Sequence, residues 1–204
     1  MEKFVITITR EFGSLGRPIA KKLSEILKVQ YYDRDIVEET ARQLNLPVSV
    51  LSRKEEKRSG FFDMLFPLGI EDAAQQSRIF AAQAQIIHSL AEKESCIIVG
   101  RCADYILRDE PNALHVYIYA PYADRLANCV GPLGMKKNEA KKMIADVDKA
   151  RTAYHKYFSH YLPGDPEYTH IMINSAVLEV EGTAQALASV AGIRFGIQAG
   201  REQP

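Results

Sequence analysis

Long hydrophobic runs are missing from this chain: none approaches the ~20 apolar residues that a membrane-spanning helix requires. The start, Met1-Glu2-Lys3, leads straight into a strand-like stretch and lacks the layout of a secretion signal. Net charge is missing too. Lys+Arg (26) and Asp+Glu (26) cancel, so there is no bulk basic field for nucleic acid and no polybasic tail for a membrane surface. The cysteines, Cys96, Cys102 and Cys129, are odd in number and lack metal-ligand spacing, which predicts reduced thiols in a cytoplasmic protein. The histidines (88, 115, 155, 160 and 170) form no HExxH-type arrangement, and no metal ligand is assigned. Internal repeats and low-complexity segments are absent. What remains is a soluble globular composition, 47% apolar over 204 residues, which can bury one good core and has one domain, 1–204, as its default.

The chain is organised around Phe4 to Leu27. Six β-favouring residues, Phe4 to Thr9, precede the turn Gly13-Ser14-Leu15-Gly16. Ile19, Ala20, Leu23, Ile26 and Leu27 then recur at helical spacing, with Lys21, Lys22 and Glu25 opposite. A strand, a glycine loop and a helix N-terminus together make an anion site, because backbone N–H groups converge there and the helix dipole favours negative charge. The reading is that this loop holds a nucleotide phosphate; the bland alternative is a tight turn without ligand. The loop departs from the G-x-x-x-x-G-K-[ST] pattern: aligned on Gly16, Glu11 replaces the first glycine, Arg17 the lysine and Pro18 the hydroxyl residue. Arg17 can hold phosphate bidentately. Pro18 suits a first helical turn but cannot bind metal. Either Mg²⁺ is held through water and other groups such as Ser14, or phosphate is transferred poorly.

Further strands are predicted at Val29–Tyr32, Cys96–Val99, Leu114–Tyr119 and His170–Asn174, and helices from about Arg34 to Leu44, from Pro47 into the charge block 53–58, and over Glu71–Glu94, Cys102–Leu107, Tyr122–Val130, Asn138–His160 and Val180–Val190. Residues 201–204 are expected to fray. Strands alternating with helices imply a parallel α/β sheet, whose ligands bind beyond the carboxyl ends of the strands. Those ends carry Arg10-Glu11, Asp33, Gly100-Arg101, Ala120-Pro121 and Asn174-Ser175. The segment 59–70, SGFFDMLFPLGI, fits neither period; it reads as a lid, a packed loop or a partner surface, and predicts a homodimer contact.

Arg101 follows the most apolar strand and needs an anion there, or a carboxylate such as Asp104 or Asp33. Asp33 itself is a helix N-cap candidate that can also contact ligand. Asp148, Arg151 and His155 share one face of the long helix 138–160. They read either as a solvated, salt-bridged face or as part of a closing helix that brings Arg151 onto a migrating phosphoryl group.

The segments ITREFGSLGRPIAKKLSEIL, YYDRDIVEETA, IIVGRCADYIL, VDKARTAYH and INSAVLEVEGTAQAL, in this order and spacing, resemble the cytidylate kinase-like family, a divergent branch of the P-loop nucleoside monophosphate kinases. The resemblance implies a three-layer α/β/α P-loop kinase fold with five parallel strands in the order 2-3-1-4-5. It implies transfer of the ATP γ-phosphoryl, with Mg²⁺, to a nucleoside monophosphate or a related small acceptor. Gly13, Ser14, Gly16 and Arg17 would cradle donor phosphates. Asp33, Arg101 and Asp148 would place the acceptor, and Arg17 and Arg151 would act on the transferring group. Helical segments at about 34–70 and 134–165 would close over the site. Cys102 stands where those kinases carry an aspartate after Gly-Arg, and Arg17-Pro18-Ile19 stands for their Lys-Gly-Thr. Those departures keep an alternative open: a nucleotide-binding regulatory or interaction protein with impaired catalysis.

Overall fold

The computed structural model of the protein describes residues 2–33, 35–45 and 73–197. The expectations for the helix opening at Pro47, the charge block 53–58, the apolar segment 59–70 with its dimer contact, and the end 201–204 lie outside the described residues.

Five strands, β1 (Val5–Arg10), β2 (Gln30–Tyr32), β3 (Cys96–Val99), β4 (Ala113–Tyr119) and β5 (Ile171–Asn174), pair in parallel in the order β2-β3-β1-β4-β5. This is the expected order, and helices flank the sheet: α1 (Gly16–Leu27), α2 (Asp35–Gln43), α3 (Ala73–Lys93), α4 (Ala103–Ile106), α5 (Tyr122–Val130), α6 (Lys137–Ser159) and α7 (Ser175–Phe195).

The central strands are buried on both faces, which is why β3 reads as an unbroken apolar run. Ile6, Ile8, Ile97 and Val99 pack with Ile19 and Leu23 of α1 and Leu187 of α7. Val5 and Ile98 look the other way, into a layer with Ile36 of α2 and Ile87 of α3. Each such fully buried aliphatic side chain contributes about 1.5–3 kcal/mol. A third cluster, with Phe12, Cys129, Met143, Val147 and Tyr154, fastens α5 and α6 beside the loop that follows β1. The helix expected at 180–190 is longer on both sides. Asn174 caps an initial turn by accepting the Ala176 N–H at 3.0 Å, a kink at Glu179 (φ 53°, ψ −164°) separates that turn from the main body, and the helix runs on to Phe195. No described helix is long and apolar enough to cross a membrane.

Thr7 and His115 sit opposite each other in the β1–β4 register, and both are buried. Thr7 Oγ1 and His115 Nδ1 lie 2.9 Å apart. The His170 ring stacks on His115 at 4.7 Å, and its Nδ1 accepts the His115 backbone N–H at 3.0 Å. Burial first, then His170, push His115 down to about 4, against a weaker upward pull from Asp104. A histidine neutral in the fold but protonated when unfolded stabilises the fold above pH ~6.5, and that contribution is lost as pH falls towards 4. The shift corresponds to about 3 kcal/mol. The urea midpoint is therefore expected to fall between pH 7 and pH 4.5, and His115→Gln to flatten that fall. An equally steep fall in the variant would assign it to other groups.

Candidate functional site

β1 delivers Arg10 to the carboxyl edge of the sheet, and the chain then turns through residues 11–15 into α1. Gly13 takes φ +80°, and a Cβ there would lie 2.8 Å from the Arg125 carbonyl oxygen, so conformation and space both require glycine. Backbone and side chains from distant elements fix the loop. Asp148 Oδ1 on α6 accepts the Phe12 N–H at 2.7 Å. Asn128 on α5 donates to the Gly13 carbonyl at 2.9 Å, and Ser175 donates to the Ser14 carbonyl at 2.8 Å. Arg125 joins these anchors: it pairs with Asp148, donates to the Phe12 carbonyl at 3.3 Å and approaches Glu11 Oε2 at 3.4 Å. Glu11 Oε2 also accepts the Ala120 N–H at 3.1 Å. A loop held from three elements is preorganised, and the N-terminus of the 12-residue α1 rises from it. A cavity with about 460 Å³ of empty space, its open mouth included, lies over this loop, with Gly13, Gly16, Arg17 and Arg151 in its walls.

A second cavity of about 330 Å³ opens beside the first, lined by Gly100, Arg101, Cys102, Tyr154 and His155 among others. Arg10 and Arg151 border both. Gly100, Arg101 and Cys102 carry φ of 76°, 60° and 53°, three successive left-handed residues between β3 and α4. A non-glycine residue in that region is strained, and such strain persists where the surroundings over-determine it. Here the Gly100 N–H is tied to the Ile8 carbonyl at 2.9 Å and the Ala103 N–H to the Gly100 carbonyl at 3.1 Å, which sets Arg101 at the sheet edge, 4% exposed. Burial pushes the Cys102 thiol well above its ordinary value, so it is an inert wall and not a nucleophile.

Guanidinium groups dominate the boundary between the cavities. Arg17 Nε meets Asp33 Oδ2 at 2.5 Å, and Arg10 Nη2 stands 3.8 Å from Asp33 Oδ1. Burial tends to raise the Asp33 carboxyl, but Arg10, Arg17 and Arg101 together override it and hold it low. Burial lowers Arg10 to about 10, and lowers Arg101 against the pull of Tyr154 and Asp33. Arg151 is lowered well below the usual range, by burial first and then by repulsion from Arg10, with Asp148 opposing. Asp148 reaches Arg151 only at 4.0 Å, because Arg125 and the Phe12 N–H hold it elsewhere. Such a collection of desolvated cations is matched to an anionic ligand.

His155 braces the far wall. Its Nε2 lies 2.7 Å from Asp104 Oδ2 and its Nδ1 2.9 Å from Ser159 Oγ, so both ring nitrogens are engaged. Burial works to lower His155, but Asp104 outweighs it and the net shift is upward. Tyr154 donates to Gln83 Oε1 at 2.9 Å.

Gly13, Gly16 and Arg17 line the cavity over the loop, and Arg101 and Arg151 reach the cavities, whereas Ser14 lies in the loop fully buried and lines neither cavity. Asp33 is bound to Arg17 and lines neither cavity. Asp148 anchors the loop backbone and lines neither cavity. The Asp148, Arg151, His155 face of α6 is turned inward: His155 is buried and the Arg151 side chain is only 11% exposed, which corrects the reading of a solvated face. Asp104 partners His155, not Arg101. Arg10, Arg125 and Glu11 carry the geometry, though Glu11 was named only as the residue in place of the first motif glycine and Arg125 by no pattern. Arg10 and Glu11 shared one signal, their place at the end of the first strand.

The same residues bear on magnesium. The Ser14 hydroxyl donates to the Glu11 carbonyl at 2.9 Å, Pro18 has no hydroxyl, and Glu11, Asp33 and Asp148 are each engaged by an arginine. Among the described residues no group of three or more His, Cys, Asp or Glu side chains could hold a metal ion. The described residues therefore do not fit a protein-held Mg²⁺.

Solved structures share this architecture. An uncharacterized protein from Eubacterium ventriosum is 26% identical, with 93% of this chain and 98% of that chain covered at a TM-score of 0.71. A shikimate kinase from Bacteroides thetaiotaomicron is 14% identical, covering 92% and 97% at a TM-score of 0.55. A sugar kinase from Janibacter sp. is 12% identical, covering 96% and 96% at a TM-score of 0.53. The last two show likeness of fold alone. No curated protein matches the chain significantly in sequence. The sequence profile of the cytidylate kinase-like family matches residues 5–177, and with loop, sheet order and arginine-lined cavities in agreement, this chain belongs to the cytidylate kinase-like family.

Proposed function

We propose that this protein transfers the γ-phosphoryl group of ATP to a nucleoside monophosphate or a related small phosphate-bearing acceptor. The observation that carries this reading is the pair of adjoining cavities, one over the Gly13–Pro18 loop and one over Gly100-Arg101, with Arg151 in the wall between. Donor phosphates would lie on the loop and the α1 N-terminus, held by Gly13, Ser14, Gly16 and Arg17. The acceptor phosphate would meet Arg101, with Asp33 keeping the surrounding guanidiniums in place and Asp148 holding the loop against α6. An acceptor oxygen forms a bond to the γ-phosphorus as the bond to the β–γ bridging oxygen breaks, and the electron pair leaves with ADP. Positive charge fixed beside that centre lowers the barrier without rearrangement, the part assigned to Arg151. Magnesium would enter on the nucleotide.

Isothermal titration with ATP and with ATP–Mg²⁺, followed by transfer assays across CMP, dCMP, UMP, AMP and non-nucleotide acceptors, tests the reading. No ATP binding at millimolar concentration would sink it. Arg17→Ala is expected to weaken ATP binding about 100-fold, since a charge-assisted pair contributes about 1.5–3 kcal/mol, and to lower the melting temperature as well, because the buried Asp33 loses its closest partner. Unchanged affinity would move the phosphate site off this loop. The alternative, a nucleotide-binding regulatory protein, draws on Pro18 and on the misfit to protein-held Mg²⁺; binding of ATP without transfer to any acceptor would favour it.

A further inference from the structure

Arg10 lies on no phosphate-loop position, yet its side chain spans the site. Its stem crosses Gly16 so closely that a Cβ on Gly16 would fall 2.8 Å from Arg10 Cγ. Its head reaches the acceptor-side strand end, where a Cβ on Gly100 would fall 2.2 Å from Arg10 Nη1. The side chain therefore spans from the N-terminus of α1, at its stem, to the end of β3, at its guanidinium, and Arg10 borders both cavities. Arg10 is only 7% exposed. Among the described residues its Nε and Nη2 make no hydrogen bond. Among the described residues the nearest carboxylate oxygen, Asp33 Oδ1, is 3.8 Å away, while the same carboxylate meets Arg17 at 2.5 Å. The Arg10 carbonyl accepts from Arg151 Nη1 at 2.9 Å, which locks these two arginines together. A buried cation with open donors, fixed between two anion cavities, is complementary to an anion lying across them.

We propose that Arg10 is a catalytic residue, whose guanidinium binds the phosphoryl group in passage between donor and acceptor, opposite Arg151. The assignment rests on the phosphotransfer reading above. Arg10 donates hydrogen bonds to the non-bridging oxygens of the migrating group while the acceptor oxygen–phosphorus bond forms and the bond to the ADP oxygen breaks; no proton moves through it. Its donors already lie in place, so the charge developing on those oxygens is met without rearrangement.

The test compares ATP, which reaches the donor side, with diadenosine pentaphosphate, whose phosphate chain is long enough to run through both cavities. Titration of the full chain is expected to show tighter binding of the longer chain. Arg10→Met should erase that gain, by about 30- to 100-fold, and change ATP affinity less than ~10-fold. Arg10→Lys, which keeps the charge and loses the fork, should fall between. Gly100→Ala leaves Arg10 in the sequence but drives a methyl group into its head, and should lose the same gain. This second route serves even where Arg10→Met folds poorly, which thermal unfolding would reveal. A merely structural role would lower both affinities together. Wild-type protein that binds ATP with no gain from the longer chain, or Arg10→Met that keeps the gain, would overturn the Arg10 assignment and leave the phosphotransfer reading standing. Wild-type protein that binds neither ligand would overturn both.

Discussion

Arg151→Met is expected to reduce phosphotransfer about a thousandfold, the scale on which a guanidinium at a migrating phosphoryl group acts. The loss should appear in kcat, with ATP affinity changed less than ~10-fold, because the side chain lies between the cavities rather than within the loop. Arg151 donates to the Arg10 carbonyl and stands 6.0 Å over the Phe12 ring, so methionine fills most of its space while deleting its charge. Burial and the repulsion of Arg10 act against that charge. An anion between the two arginines turns the repulsion into shared attraction, and this is a stabilisation that grows as charge shifts along the reaction. Arg151→Lys should recover part of the rate, since it restores a charge but not two parallel donors. A kcat for Arg151→Met within about threefold of the parent would remove Arg151 from the chemistry.

Gly13→Ala carries the second large effect. The φ of +80° is a conformation that side-chain-bearing residues rarely adopt, and the added methyl would stand 2.8 Å from the Arg125 carbonyl and 3.0 Å from Cys129 Sγ. Strain and overpacking together are expected to lower stability by about 2–4 kcal/mol. The collision falls on α5, the element that anchors the Gly13 carbonyl through Asn128 and the Phe12 carbonyl through Arg125. Relief requires the loop to leave its anchors, so ATP affinity should be lost together with stability. Urea unfolding and titration of the same preparation check both. A variant of parental stability that binds ATP normally would show that the loop has slack, contrary to the hydrogen bonds that hold it.

Much of this protein was legible from local pattern. Apolar residues at helical spacing from Ile19 to Leu27, and the bare run Cys96–Val99, mark a surface helix and a central strand because burial imposes those periods wherever the element sits. Alternation of strands and helices leads to a parallel sheet, and parallel strands bring their carboxyl ends to one edge. Arg101 was visible as a candidate because it stands at that edge, and the Gly13–Arg17 loop because a glycine turn there joins a strand to a helix N-terminus. The strand order 2-3-1-4-5 came from resemblance, since no period along the chain says which strands become neighbours.

What only the tertiary structure decided is how that edge is wired. The Phe12–Asp148 hydrogen bond joins residues 136 apart in sequence, the Arg151–Arg10 bond residues 141 apart, and the His155–Asp104 pair residues 51 apart. Helical spacing put Asp148, Arg151 and His155 on one face, but whether that face meets water or a ring of arginines depends on where α6 docks. Arg10 shows the limit most plainly. Its residue type and its place at a strand end are visible in the sequence, whereas its reach from Gly16 to Gly100 exists only because β1 and β3 pair in parallel with Ile8 beside Val99. Local chemistry names the groups that can bind an anion, and long-range packing, which selects among distant partners, determines which of them share one.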